Sequence, residues 1–554
     1  MSEVKTPLER PVLEQFQTRA QQLEKLPPCQ ARCPNSGDIR GWMGIIAQHE
    51  KNGLTQEQAF DRAWELIAKL NPLPATIGRI CPHPCEDLCT RQDKDGAVSI
   101  NAMERFLGDW GISRSLPLPR AGSQRYPETV GIIGSGPAGL SFAYQMARRG
   151  YDVTIYERHN LPGGMLRQAI PDFRLPREVL DAEIGRVLDL NIFLVRNVDL
   201  GNNISLSELR DRHTLVFLGL GAQAARELGI PGEKGPHVIS GIAYLQQRKQ
   251  QIELQQGRRV LVVGGGNTAI DAARSARRDG AEVTLLYRRS EVEMPAAAQE
   301  VEDARSEGVK FRFLVSPTRI IREGEQVRQV EIQGMRLAEP DEQERRRPVA
   351  IPGHLQKLRA DRVIVAVSQA PGWQELDAVH ASETWLHTEE DGKLENNIWA
   401  GGDDRGPGLA SKAIAQGRIA AEAAHAELRG EASGNKVSQH EAVRSGIVKT
   451  DFYSEKQRVT NPHRPRDEWL SDPDAEADQT ISYEQACQEA SRCMSCGLCF
   501  DCQQCFMYCN VGGFTRIDET SPGNYFVFAF DKCEGCGKCI EICPSGYLGA
   551  RVGG

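Results

Sequence analysis

Residues 130–157 read VGIIGSGPAGLSFAYQMARRGYDVTIYE. An apolar, strand-sized run enters a turn in which Gly134, Gly136 and Gly139 form GxGxxG, and Pro137 and Ala138 open the helix that follows. Glycines at this spacing let backbone amides and a helix N-terminus approach a pyrophosphate. The helix gives way to a second strand, YDVTIYE, which ends on Glu157, an acid placed to accept hydrogen bonds from a ribose diol. Strand, glycine turn, helix, strand and terminal acid in this order predict a dinucleotide site in an α/β fold.

A second copy opens at Arg259: RVLVVGGGNTAIDAARSARRDGAEVTLLYRR. Gly264, Gly266 and Ala269 stand where Gly134, Gly136 and Gly139 stood, and Asn267 and Thr268 begin its helix. The position of Glu157 is taken by Tyr287, and Arg288 and Arg289 follow. An acid there would repel a 2′-phosphate, whereas guanidinium groups can pair with one. The first site therefore suits FAD and the second suits NADPH over NADH. Two solvated arginines at a strand end are the plainer alternative.

Downstream, NIWAGGDDRGPGLASKAIAQGRIAAEAA returns a strand, a Gly-Gly-Asp turn and a helix. Gly402 and Asp403 would close the FAD site, with Asp403 at the ribityl chain and the helix N-terminus aimed at the flavin. Gly163 and Gly164, in GGMLRQAIPDFRLP, would join them. The strands TLVFLGLGA and VIVAVSQAP fit two crossings between domains. The arrangement resembles the two-dinucleotide flavoproteins, in which the NAD(P)H domain is inserted into the FAD domain. The flavin segments contain no CxxxxC pair, which argues against a disulfide reductase.

The 554 residues exceed what one hydrophobic core serves, so several domains are expected. No apolar run approaches the roughly 20 residues of a membrane span, and MSEVKTPLER has no apolar signal core, so a cytoplasmic location is expected. A net charge of −8 argues against nucleic-acid binding. All sixteen cysteines lie before Glu104 or after Ser482, many at CxxC spacing. In a cytosolic chain that pattern reads as metal-binding or redox-active.

The C-terminal cysteines fall into two CxxCxxCxxxC runs: Cys499, Cys502, Cys505 and Cys509, then Cys533, Cys536, Cys539 and Cys543. This is the two-cluster ferredoxin pattern, in which the fourth cysteine of each run ligates the other cluster. One cluster would take Cys499, Cys502, Cys505 and Cys543, and the other Cys533, Cys536, Cys539 and Cys509. Asn510 replaces the usual proline after the first run. Zinc competes for any single CxxC pair, but this interleaved register favours clusters.

Near the N-terminus stand Cys29 and Cys33 in CQARCP, then Cys81, Cys85 and Cys89 in CPHPCEDLC. This module followed by the flavin and nucleotide segments resembles the small subunit of glutamate synthase. It is similar also to the electron-entry half of dihydropyrimidine dehydrogenase and the large subunit of ferredoxin:NADP transhydrogenase. The likeness covers residues 20–430 and is carried by GGGNTAIDAARSA, YRRSEVEMPA and IWAGGD. It implies two 4Fe–4S clusters in the N-terminal module. One would be held by Cys33, Cys81, Cys85 and Glu104, the last in VSINAMERF. The other would take Cys29, Cys89 and a CxxC pair that the family places upstream of Cys29. No cysteine precedes Cys29 here, but SRCMSCG supplies Cys493 and Cys496 near the other end. These two are expected to complete the cluster, although they could be spare or bind a separate metal. Cys487 would be a small buried residue. A permuted CxxC with a C-terminal ferredoxin also resembles the DsrL-type flavoproteins, which serve dissimilatory sulfite reductase, and subunits accompanying some 2-oxoacid:acceptor oxidoreductases.

The expected organisation starts with a helical iron–sulfur domain (1–120) and a first FAD-binding segment (121–235). An NAD(P)H-binding domain (236–375) and a second FAD-binding segment (376–430) follow. A surface-hugging linker (431–480) then leads to an α+β ferredoxin domain (481–554). The expected function is hydride exchange between NAD(P)H and FAD, then single-electron relay through four 4Fe–4S clusters to or from a redox partner protein. That partner would be a catalytic subunit, of sulfite reductase or 2-oxoacid oxidoreductase type. The alternatives are an oxidoreductase serving a free ferredoxin, a glutamate synthase small subunit, and a scaffold with structural clusters. A homodimer stays open.

Overall fold

The structure is a computed structural model describing residues 18–222, 224–252, 257–340, 346–373, 376, 385–431 and 442–552. The expectations for MSEVKTPLER, for most of EASGNKV and for the boundary at residue 375 lie outside them. The chain divides into two compact units: residues 1–119, 434–461 and 480–554 form one, and residues 120–433 with 462–479 form the other.

The first unit begins with strand β1 (Thr18–Gln22) and helices α1 (Ile39–Ala47), α2 (Gln56–Leu70), α3 (Pro74–Ile80) and α4 (Ile100–Ser113). Local chemistry sets the helix starts. Asp38 caps α1 by accepting from Gly41 N at 2.9 Å, and Thr55 with Gln58 forms a capping box on α2. The crossing of α3 on α4 is close: a Cβ at Gly78 would lie 2.3 Å from Arg105 N, and one at Gly108 would lie 2.2 Å from Ala75 N. The glycines bring the C-terminal end of α3, where Cys81 sits, against the face of α4 that carries Glu104.

The second unit is built around two large sheets. The first is built from β2 (Thr129–Ile133), β3 (Asp152–Glu157), β4 (Phe193–Arg196) and β5 (Leu215–Leu218), with α5 (Pro137–Ala147) crossing from β2 to β3. The chain then leaves to form β6 (Val238–Ser240), β7 (Arg259–Val263), α6 (Asn267–Arg278), β8 (Glu282–Tyr287) and β9 (Lys310–Phe313). Next come β10 (Val315–Glu323), β11 (Gln326–Pro340), β12 (Arg346–Arg359) and β13 (Arg362–Val365). It returns through β14 (Lys393–Glu395), β15 (Ile398–Ala400) and the long helix α7 (Ala410–Arg429). The first sheet has the order β14-β15-β5-β2-β3-β4, the second β9-β8-β7-β13-β6, and β10-β11-β12 form an antiparallel third. The central strands of both large sheets are parallel and buried on both faces, as continuous apolar runs require. Residues 238–365 thus interrupt a sheet whose two parts pair directly through β5 and β15.

The chain finishes in the first unit with α8 (Tyr483–Ala490), the hairpin β16 (Phe514–Ser521) and β17 (Asn524–Phe528), and β18 (Leu548–Val552). β18 pairs antiparallel with β1, so the two ends of the chain share a ribbon. No helix among the described residues is long and apolar enough to cross a membrane.

Candidate dinucleotide and iron–sulfur sites

At the first glycine turn, Gly134 has φ +89°, and a Cβ on it would lie 2.2 Å from Gly219 O. One on Gly139 would lie 2.0 Å from Gly134 O. The Cβ position of Gly136 is open, and this glycine is the N-cap of α5 with no side chain capping the helix's first turn. Gly164, at φ +52°, packs on Gly136, and Gly163 N donates to Ser135 Oγ at 3.0 Å. Glu157 is buried at the end of β3 and accepts from Ser135 N at 3.0 Å, from Ser135 Oγ and from His159 N at 2.8 Å. A carboxylate has about four lone-pair sites, so it can still accept from a diol.

Gly402 comes beside this turn because Gly417 of α7 lets the helix rest on Ala138 O, where a Cβ would lie 2.2 Å away. Gly402 N donates to Gln416 at 2.8 Å, and Asp403 accepts from Gly408 N at 3.0 Å. Burial raises the Asp403 pKa above its ordinary value. Sequence reasoning missed the next residue. Asp404 is fully buried and accepts from Leu220 N at 3.0 Å and from Gly221 N, tying the loop after β5 to the returning segment. Burial pushes its pKa up to about 8 against the pull of those amides.

The second turn repeats the frame with a different closure. Gly264 has φ +147° and packs on Ala366 O, the Cβ position of Gly266 is open, and Ala269 is buried. Thr268 stands in the first turn of α6 beside Asn267, which accepts from Ala297 N at 3.0 Å. Tyr287 occupies the strand-end position of Glu157 and lays its ring on Gly265, where a Cβ would sit 2.4 Å from Cε2. Its hydroxyl donates to Glu293 O at 2.8 Å. Arg288 is exposed, and Arg289 is half-buried with its Nε buried and unpartnered. Arg174, from the AIPDFRLP stretch, pairs with Asp271 of α6 at 2.8 Å and with Glu300 at 2.7 Å.

In the other unit, Cys29, Cys89, Cys493 and Cys496 line one cavity with Arg40 and Met43. Two of these thiols lie 400 residues or more along the chain from the other two. The cavity of about 30 Å³ exceeds the roughly 10–15 Å³ one water needs, yet its mainly apolar wall suits water poorly. Burial is the largest cause raising all four thiols, and neighbouring thiols add to it for Cys29, Cys493 and Cys496. Cys29 lies well above its ordinary value, Cys493 is pushed to about 12 and Cys496 to about 11. Buried thiols crowded in this way require a cationic centre to become thiolates. Among the described residues no three such side chains could hold a single metal ion.

The chain ends meet there through buried charge that the sequence did not reveal. Arg492 is fully buried and donates to Glu489 at 2.6 Å, to Asp95 Oδ1 at 3.0 Å, and to the carbonyls of Asp95, Gly96, Ala97 and Lys456. Glu489, also fully buried, accepts from Ser99 N at 2.7 Å and Val459 N at 2.8 Å. Arg40 donates to Cys496 O at 2.9 Å. Cys487, on α8, packs partly buried against the helical core.

Cys33, Cys81, Cys85 and Glu104 form a neighbouring group. Burial first, then Cys33, Glu86, Cys81 and Glu104, raise the Cys85 thiol. Asn71 donates to Glu104 at 3.0 Å. In the ferredoxin segment, Cys499, Cys502, Cys505 and Cys543 line a second cavity with Phe514 and Phe526. Cys539 is pushed up to about 11 by burial and by Cys533, Cys536 and Cys509. Cys536 is exposed.

The family model for pyridine nucleotide-disulphide oxidoreductases matches residues 128–417. The chain belongs to this family. Models for the dihydropyrimidine dehydrogenase domain II, 4Fe-4S cluster, and for a 4Fe-4S binding domain match residues 4–116 and 526–546. NADPH-Fe(3+) oxidoreductase subunit beta of Geobacter sulfurreducens is 40% identical over 351 residues, covering 62% of this chain and 51% of that one. NADP(+)-dependent formate dehydrogenase subunit beta of Moorella thermoacetica is 36% identical over 429 residues, covering 71% and 59%. Glutamate synthase [NADPH] small chain of Escherichia coli is 33% identical over 425 residues, covering 72% and 87%. The chain thus spans about half the length of the first of these relatives. Its domain content is that of an NAD(P)H-dependent flavin and iron–sulfur oxidoreductase.

Proposed function

We propose that the chain is the electron-transfer subunit of a larger redox enzyme, using NADPH, FAD and four 4Fe–4S clusters. When bound, the flavin exchanges hydride with the nicotinamide and the clusters carry single electrons. The chain's own residues bind and orient. Amides at Gly136 and Gly266 meet the two pyrophosphates, Glu157 accepts from the FAD ribose, and Arg288 with Arg289 meets the 2′-phosphate. Asp403 reaches the ribityl chain. The N-terminal clusters are held by Cys33, Cys81, Cys85 and Glu104, and by Cys29, Cys89, Cys493 and Cys496. The ferredoxin clusters are held in the interleaved pattern of the two cysteine runs.

The supporting observation is the cavity lined by four thiols from opposite ends of the chain, the donor number that a 4Fe–4S cluster takes. The partner is another polypeptide, since all three relatives above are named as a subunit or chain of an enzyme. A catalytic subunit of sulfite reductase or 2-oxoacid oxidoreductase type fits this reading. Protein purified without oxygen should carry one FAD and about sixteen irons, four per cluster. Cys493→Ser with Cys496→Ser should lose about four irons and keep both ferredoxin signals in electron paramagnetic resonance. Full iron in that double variant would refute the shared cluster.

A further inference from the structure

Residues 443–453 belong to the stretch expected to be a polar linker, yet they bracket two thiol-bearing loops. Lys449 N donates to Pro544 O at 2.8 Å, next to Cys543. Val443 and Val448 are buried with Met494, and Tyr453 and Cys496 pack against them. The Tyr453 hydroxyl donates to Met494 O at 2.7 Å, and Met494 lies between Cys493 and Cys496. On its other side, the Tyr453 ring meets Phe500 with centroids 5.6 Å apart, and Phe500 lies between Cys499 and Cys502. One side chain therefore touches the ligand loop of the shared N-terminal group and the ligand loop of the first ferredoxin group.

We infer that Tyr453 is a positioning residue for electron passage between the shared cluster and the first ferredoxin cluster. The inference rests on the cluster assignment proposed above. The step is a one-electron exchange, with one cluster oxidised, the other reduced, and no bond made or broken. A packed aromatic ring excludes water from the gap and gives the electron a continuous path through matter, and packing against Val443, Val448 and Phe500 holds the ring in place. Tyr453 thus joins the shared group to the ferredoxin group that takes Cys499 and Cys502. The group containing the exposed Cys536 faces outward.

The test uses the full chain, loaded and purified without oxygen, mixed with NADPH and freeze-quenched. Flavin reduction is read by absorbance, and the ferredoxin clusters by electron paramagnetic resonance. Tyr453→Phe keeps the ring and should reduce the ferredoxin clusters at close to the native rate. Tyr453→Leu and Tyr453→Met keep apolar fill without the ring. Either should slow that step about 10–100-fold, the usual effect of losing an outer-shell partner, with flavin reduction and iron content unchanged. Native transfer rates in a fully loaded Leu or Met variant would overturn the inference. Loss of iron in both would also overturn it, because the tyrosine would then serve assembly rather than passage. Fewer than four clusters in the unmodified protein would overturn the cluster assignment together with this inference.

Discussion

Arg492→Leu should strip one cluster from the chain without removing a cysteine. The guanidinium is fully buried and serves Glu489, Asp95 and four backbone carbonyls. Leucine would leave the Glu489 carboxylate buried without its counter-charge and would strand the carbonyls of Gly96 and Ala97. Removing one partner of a buried ion pair costs about 3–5 kcal/mol, a large part of the roughly 5–15 kcal/mol that holds a domain together. The broken contacts join Arg492 to residues 95–97, Lys456 and Glu489, so the cost falls on the docking of the segment that carries Cys493 and Cys496. When opening is fast, cleavage follows the open population, and protease attack within 454–461 and 480–492 should rise from about 10²-fold to nearly 10⁴-fold. Iron should fall by about four atoms per chain, with both ferredoxin signals kept. Arg492→Lys keeps the charge but not the forked donors, and should fall between the two. Full iron and a native cleavage rate in Arg492→Leu would show that the segment docks by other means.

Arg288→Ala with Arg289→Ala should weaken NADPH binding by about 1–3 kcal/mol and leave NADH almost unchanged, read as flavin reduction against nucleotide concentration. Equal preference for the two nucleotides in the unmodified protein would remove the basis for this. Asp404 supplies a pH dependence. Its carboxyl keeps its proton in the folded chain up to about pH 8 but loses it near 3.8 when unfolded. The folded state therefore binds the extra proton across that window, and stability falls as pH rises from about 4 to 8, then levels off. Thermal melts of Asp404→Asn should show a shallower decline between about pH 6 and 8.5. An unchanged slope would assign the pH dependence to other groups.

The dinucleotide turns were legible because their geometry is local. Gly134, Gly136 and Gly139 lie within six residues, and the same stretch of chain makes the strand, the turn and the helix that use them. Tyr287 was legible as a difference, because the spacing to the strand end is the same in both copies. Its packing against Gly265 was not, since a ring lying over a glycine is a tertiary contact. The interleaved ferredoxin run was legible from spacing, and the pairing of Cys29 and Cys89 with Cys493 and Cys496 only from resemblance and a ligand count. Arg492, Asp404 and Tyr453 escaped. Each acts on backbone or loops far along the chain or outside any motif, and nothing local in SRCMSCG, GGDDRG or TDFYSE says which polar or aromatic side chain turns inward. The linker expectation was incomplete for the same reason: a polar stretch on average can still carry Val443, Val448 and Tyr453 into a buried contact.

The proposed ligand set, split between segments near the chain's two ends, has a thermodynamic consequence. Cys493 and Cys496 are pushed to about 12 and 11 by burial, with Cys89 adding to both, so in the folded chain they stay protonated unless a cation takes the proton's place. Loading therefore releases protons and weakens as pH falls. Residues 482–497 come to the N-terminal module by two routes at once, through the thiols and through the buried Arg492–Glu489 pair. Neither route needs to be strong alone, because each raises the local concentration of the other's partners. A chelator that removes this iron should then free the segment as well as empty the site. Loss of the cluster and release of the segment become one equilibrium, followed either by colour or by protease.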